Sequence, residues 1–222
     1  MKPVNKTKAL FIGLIIIGTV SISIAQNITV PIATGTKMIF APKPLKTKPA
    51  TQTEFKAGAG IYGSLVLPKP LKEYSRKIHA YDLERYKITG KYTDYLLLRA
   101  DPVDQDPNQR TWQGITIYLK AADLEKNSID FEIMPSDSAS TFFGTPFCEE
   151  LANGSVMYPY FGKKIEIKIS LLMPSKDFNP DQVVLSANIT IDYSTADYQS
   201  LNEWKARCIK INENVQLINK QP

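Results

Sequence analysis

The chain of 222 residues carries 27 Lys/Arg against 22 Asp/Glu, a net charge of +5, with one His and two Cys. Three of the lysines fall in the first eight residues; without them the surplus is only +2, so the basic balance is no signature of nucleic-acid binding. A single His argues against a zinc site built on the two cysteines.

Lys2, Lys6 and Lys8 precede an uncharged run from Ala9 to Val20, and polarity returns at Ser21 and Ser23. A spanning helix needs roughly 20 apolar residues. This run is shorter and ends on small residues, with Ser23 and Ala25 at the spacing a signal peptidase accepts. Residues 1–25 are therefore expected to be a cleaved signal peptide, with an uncleaved anchor as the competing reading. The mature chain from Gln26 is expected to be exported to the periplasm, the cell surface or the medium, with no transmembrane span left.

Residues 26–57 read as an extended Lys/Pro-rich arm or linker, in which Thr36 to Ala41 suits a short strand. Pro42, Pro44 and Pro49 remove backbone donors and keep the stretch out of any central sheet. Residues 58–222 are expected to form one domain. Gly60 to Leu67 suits a strand stopped by Pro68 and Pro70, and the glycines at 58, 60 and 63 suggest a bulge or a close backbone approach. Tyr86 to Thr89 and Tyr92 to Arg99 read as strand, turn, strand. Period-2 alternation then marks strands at Gly114 to Leu119, Ser128 to Met134, Lys163 to Ser170 and Gln182 to Tyr193, with isoleucines on the inner face of each. Cys208 to Leu217 reads as a last strand with Ile209 and Ile211 inward. Helix is thin: one or two turns at Pro146 to Asn153, and a short helix from Thr195 to Lys205 with Leu201 and Trp204 inward. The expected fold is all-β and mainly antiparallel, a two-sheet β-sandwich with one or two short helices; a partly closed barrel is the runner-up.

Residues 41–46, A-P-K-P-L-K, recur as L-P-K-P-L-K at 67–72, and 171–178 echo 66–74 more loosely. These matches read either as duplicated strand-to-loop corners on one rim of the sandwich or as chance in a Lys/Pro-rich chain. Charge is uneven as well: residues 26–91 carry a surplus of +8 and residues 92–222 a deficit of −6. A basic segment resting against the acidic half of its own chain accounts for this better than a surface for an anionic partner.

The loop D-P-V-D-Q-D-P-N places Asp101, Asp104, Asp106 and Asn108 within eight residues. Calcium takes six to eight oxygen ligands from a bendable loop, so this composition suits a structural calcium, the one cofactor the sequence brings into question. Gln109 stands where an EF-hand needs Gly, and Ile115 where it needs the closing Glu, so the loop is no EF-hand; a polar turn is the competing reading. Cys148 and Cys208 are expected to pair as a disulfide outside the cytosol. His79, the sole His, lacks any nucleophile elbow and reads as structural. Glu149 and Glu150 are neighbours on a short helix and make a poor acid/base pair.

Tyr158, Tyr160 and Phe161 cluster around Pro159, and Trp112 follows the acidic loop. Exposed rings of this kind bind sugars; Trp112 and Trp204 read better as core. Asn27, Asn153 and Asn188 stand in N-x-Ser/Thr triplets. No catalytic residue is singled out. The expected function is a non-catalytic binding or adhesion module of the cell envelope. Its partner would be a polysaccharide or another envelope protein, with no nucleic acid; the alternative is a carbohydrate-binding module or glycoside-active enzyme.

Overall fold

Alternating buried and exposed side chains build two sheets in the computed structural model, which describes residues 35–73, 92–104, 114–140, 145–173 and 182–219. The signal-peptide expectation and the strand at 86–89 lie outside these residues. Strands β1 (Lys37–Ala41), β3 (Ile61–Val66) and β6 (Ser128–Met134) form an antiparallel sheet in the order β1-β3-β6. The second sheet runs β2-β8-β7-β4-β5, from β2 (Glu54–Lys56), β8 (Gln182–Asp192), β7 (Lys164–Met173), β4 (Tyr92–Pro102) and β5 (Ile115–Lys120). It is antiparallel except where β2 pairs parallel to β8, and it curls as a half-barrel. The fold is all-β in two sheets, as the alternation implies.

On β7, Ile165, Ile167 and Ile169 are buried while Lys164, Glu166 and Lys168 are exposed. Their partners on β8, Ile191, Ile189 and Ala187, lie directly opposite and share the inner face. Ile129, Phe131 and Ile133 of β6 join the same core, which spans both sheets. Short connections close the flanks. Between β5 and β6 stands one helical turn, α1 (Ala121–Leu124), where Asp123 accepts from the Lys120 amide at 3.0 Å and from Lys126 Nζ at 2.7 Å.

On the other flank the expected arm of residues 26–57 is corrected. From Lys37 onward it belongs to the domain, supplying one edge strand to each sheet and burying Phe40 and Phe55. The prolines do act as their chemistry requires, since both strands lie at sheet edges where missing donors cost little. The repeated P-K-P-L corner is real local structure. After β1, Thr47 donates its amide to the Pro44 carbonyl at 3.0 Å; after β3, Glu73 donates to the Pro70 carbonyl at 3.0 Å, each closing a 3-10 turn. Because β1 and β3 are antiparallel, with Lys37 opposite Val66, the two corners lie at opposite ends of the sheet and not on one rim. The looser echo at 171–178 lies largely outside the described residues.

The C-terminal segment departs from expectation. No strand forms at 208–217; a single 22-residue helix runs Tyr198–Asn219. We call it α4, after α2 (Thr145–Ala152) and α3 (Gly154–Met157). Its cap is Asp197 rather than Thr195: the Ser200 amide donates to Asp197 Oδ1 at 2.7 Å, and the Asp197 amide donates back to Ser200 Oγ at 3.0 Å. Ile209 is 44% exposed and Ile211 only 1%, which a strand with both inward would not allow. The buried stripe Leu201, Trp204, Cys208, Ile211, Val215 has helical spacing and continues the phase of the expected short helix. Arg207 fixes this helix to the sheets by donating from Nη2 to the Gly58 carbonyl at 2.8 Å and from Nη1 to the Ser136 carbonyl at 3.1 Å. Cys208 is disulfide-bonded to Cys148 of α2, with Cα atoms 5.8 Å apart. Met134 Sδ packs 3.1 Å from Cys148 Sγ, so the bridge is sealed in the core.

Candidate functional site

The sequence between α2 and β7 is a succession of short turns, and each is set by a specific residue. Asn153 ends α2 and caps α3, its Oδ1 accepting from the Ser155 amide at 3.2 Å. Tyr158, Pro159 and Tyr160 make a 3-10 turn in which the proline fixes φ. Gly162 takes φ +75°, a left-handed conformation suited to glycine, and turns the chain into β7. Two bonds join this turn to the end of β8: Gly162 donates its amide to the Tyr193 carbonyl at 3.2 Å, and Tyr193 donates to the Lys163 carbonyl at 2.9 Å.

The rings of Tyr158 and Phe161 therefore stand on a fixed base, and Tyr198 reaches them from the first turn of α4. Tyr158 and Tyr198 are nearly parallel, with centroids 6.1 Å apart and planes at 21°. Phe161 meets Tyr198 edge-on at 5.1 Å and Tyr158 at 5.7 Å. Gly154 makes the approach possible, since a Cβ there would stand 3.0 Å from Tyr198 Cδ1. Tyr158 remains 61% exposed and Tyr198 50% exposed. Beneath them Tyr193 is buried and donates its hydroxyl to the Leu151 carbonyl at 2.9 Å. Burial holds the Tyr193 phenol far above the usual tyrosine range.

Of the expected calcium ligands, Asp101 lies on β4, where its Oδ2 accepts from Arg99 Nε at 2.9 Å. Its Oδ1 is buried without a partner among the described residues. Asp104 lies exposed in the turn after β4. Asp106 and Asn108 lie outside the described residues, and among those described no cluster of three His, Cys, Asp or Glu side chains has the geometry to hold a metal. Burial raises the Tyr160 pKa, and the Asp104 charge raises it further. Val103, beside Asp104, is also exposed, as is Val156 of α3.

Trp204 is a core residue packed against Tyr193 at 6.4 Å, whereas Trp112 and His79 lie outside the described residues. Of the triplet asparagines, Asn153 is used as a cap and Asn188 donates to Glu166 Oε1 at 2.8 Å. Sequence reasoning found Tyr158, Tyr160 and Phe161 but missed Tyr198. That residue comes one turn before Leu201, and its half-exposed setting follows only from its position at the helix start. The assembled rim offers partly exposed aromatic rings and phenol hydroxyls. Comparison of the chain with protein-family models, with characterised proteins and with solved structures finds no match.

Proposed function

We propose that the protein is an exported, non-catalytic binding or adhesion module of the cell envelope, and that the rim of Tyr158, Phe161 and Tyr198 is its ligand-facing surface. The observation that carries this reading is the exposure of two nearly parallel tyrosines on a base made rigid by a proline turn and by paired backbone amides. Large rings left half or more in water are unfavourable to the isolated protein, and a fixed base lowers the entropy lost when a ligand settles on them. Export is supported by the basic start, the short apolar run and the small residues before Gln26, and by a buried disulfide of a kind that persists in oxidising compartments.

Two measurements test the reading. Intact mass of the protein recovered from the envelope or medium is expected to match a chain starting at Gln26; a mass that retains residues 1–25 overturns the cleaved signal. Binding to isolated envelopes of the source organism is expected to be saturable and to weaken when Tyr158 and Tyr198 are both changed to Ala. Undiminished binding by that variant overturns the assignment of the rim.

A further inference from the structure

We propose that the corner after β1 docks on an anionic bilayer surface, with Lys43, Lys46 and Lys48 meeting lipid phosphates and Leu45 at the headgroup boundary. This surface is separate from the aromatic rim, and the proposal does not depend on the rim.

The repeated P-K-P-L-K sequence supplies an internal comparison. In the copy after β3, Leu71 is buried and its amide donates to the Lys126 carbonyl at 2.9 Å. Lys72 meets Glu125 at 2.7 Å, and Lys126 meets Asp123 at 2.7 Å. This copy lies against the body of the domain with its charge largely neutralised, as expected of a basic segment resting on acidic residues of its own chain. The copy after β1 differs on both counts. Leu45 is only half-buried, and Lys43, Lys46 and Lys48 are all exposed. Among the described residues none of these three lysines has an ion-pair partner. Where the second copy continues with Glu73, the first continues with Thr47 and then Lys48.

The backbone of the corner points the same way. Lys48 takes φ 51° and ψ 48°, a left-handed conformation at the end of the 3-10 turn. Glycine or asparagine suits that position better, so lysine there keeps a charge at a cost in stability. Local strain of this kind gathers at ligand-contacting loops. The turn is also preformed. Thr47 donates its amide and its hydroxyl to the Pro44 carbonyl at 3.0 and 2.7 Å, and Lys48 donates to the Leu45 carbonyl at 2.9 Å. Pro42, Pro44 and Pro49 fix φ around it, so little order is lost on docking.

Other charges at this end of the domain cancel. The Pro42 carbonyl and Ser136 Cβ both border the space beside Gly60, and Arg207 donates to the Ser136 carbonyl. Arg207 and Asp137, which follows Ser136, therefore offset each other here. Glu54 is held by Lys164 at 3.0 Å. The lysines of the corner remain as its net charge. Shape selects a bilayer over an anionic polymer: the lysines gather around one closed turn rather than along a row, with a half-buried leucine among them. Interfacial binding combines such an apolar contact with attraction of lysines to anionic lipids.

The test is sedimentation of the exported protein with two kinds of vesicle at low salt. One is phosphatidylcholine alone; the other is phosphatidylcholine and phosphatidylglycerol in equal parts. Binding is expected on the anionic vesicles only, and it should fall as salt rises, because exposed charges are screened. Lys43→Gln, Lys46→Gln and Lys48→Gln should each weaken it by about fivefold, and the three together by about a hundredfold. Lys69→Gln with Lys72→Gln, in the neutralised copy, should weaken it far less. Lys48→Gly should weaken binding without lowering the urea midpoint, since glycine accepts the left-handed backbone. Urea melts establish that every variant folds. The proposal is overturned by no binding to anionic vesicles, by equal binding to both kinds, or by full binding of the folded triple variant. A loss as large in the Lys69, Lys72 variant overturns it too. So does retardation in a polygalacturonate gel without vesicle binding, which would give the corner to a soluble polyanion.

Discussion

Phe40 and Phe131 meet edge to face across Gly63, with ring centroids 6.4 Å apart and planes at 79°. The three residues are directly opposite one another on β1, β3 and β6, so one pleat brings both rings over the glycine. A Cβ at position 63 would stand 2.2 Å from Phe131 Cε2, inside the ring's own volume. Glycine here is required by close approach, and the aromatic cover compensates for the side chain the strand lacks. Gly63→Ala is expected to destabilise the protein by about 1–3 kcal/mol in urea unfolding. The same change made in a Phe131→Ala background should cost distinctly less, because the clash is gone. Equal costs in the two backgrounds would mean that the rings do not meet over Gly63.

Ile167 is fully enclosed between β4 and β8, whereas Lys168, one residue on, faces water. Ile167→Ala should lower stability by about 2–5 kcal/mol through lost burial and the cavity left behind. Lys168→Ala should change it by less than about 0.5 kcal/mol. Denaturant melts compare the two directly, and similar midpoints would refute the register of β7.

The Cys148–Cys208 bridge closes a separation of 60 residues between α2 and α4. Alkylation of denatured, unreduced protein should label neither cysteine, and reduction should expose both. Replacing both with Ala should cost about 4 kcal/mol by the loop-closure argument, less any structure the uncrosslinked chain keeps when unfolded. Labelling of both thiols without reductant would refute the bridge.

Asp197 caps α4, and the Ser200 amide and hydroxyl hold its carboxyl below the ordinary value of 3.8. A native pKa below the unfolded one means that the unfolded chain binds more protons, so stability rises with pH across this range. The contribution is complete above pH 3.8 and is lost as pH falls through the lower native value. Asp197→Asn keeps an acceptor but no charge. Its melting temperature should lie below that of the wild type at neutral pH and converge with it in strong acid. A gap that persists unchanged to low pH would exclude the charge as its source.

Much of the β framework is legible locally. Alternation over six to ten residues is a property of the segment itself, and the isoleucines of β7 and β8 need only a pleated backbone to share a face. For this reason the alternation of Ser128 to Met134 marks the bounds of β6, and Gly154 marks the stop of the short α2. Two cysteines have one intramolecular pairing available, so the Cys148–Cys208 bond too needs no tertiary knowledge.

What remained hidden depends on contacts between distant segments. C-I-K-I-N-E alternates over a few residues as a strand does. Only the longer phase from Leu201 through Trp204 to Val215, anchored by Arg207 on Gly58 and Ser136, decides for a helix. Prolines between β1 and β2 rule out a central strand but do not reveal that both edges are recruited to a common core through Phe40 and Phe55. The aromatic rim was half visible, as three rings around Pro159; Tyr198 completes it from 37 residues beyond Phe161 through the gap left by Gly154. A chain read by itself specifies which faces are apolar. Which apolar faces meet, and which rings are left in water, is decided by packing, because burial is a property of all the segments together.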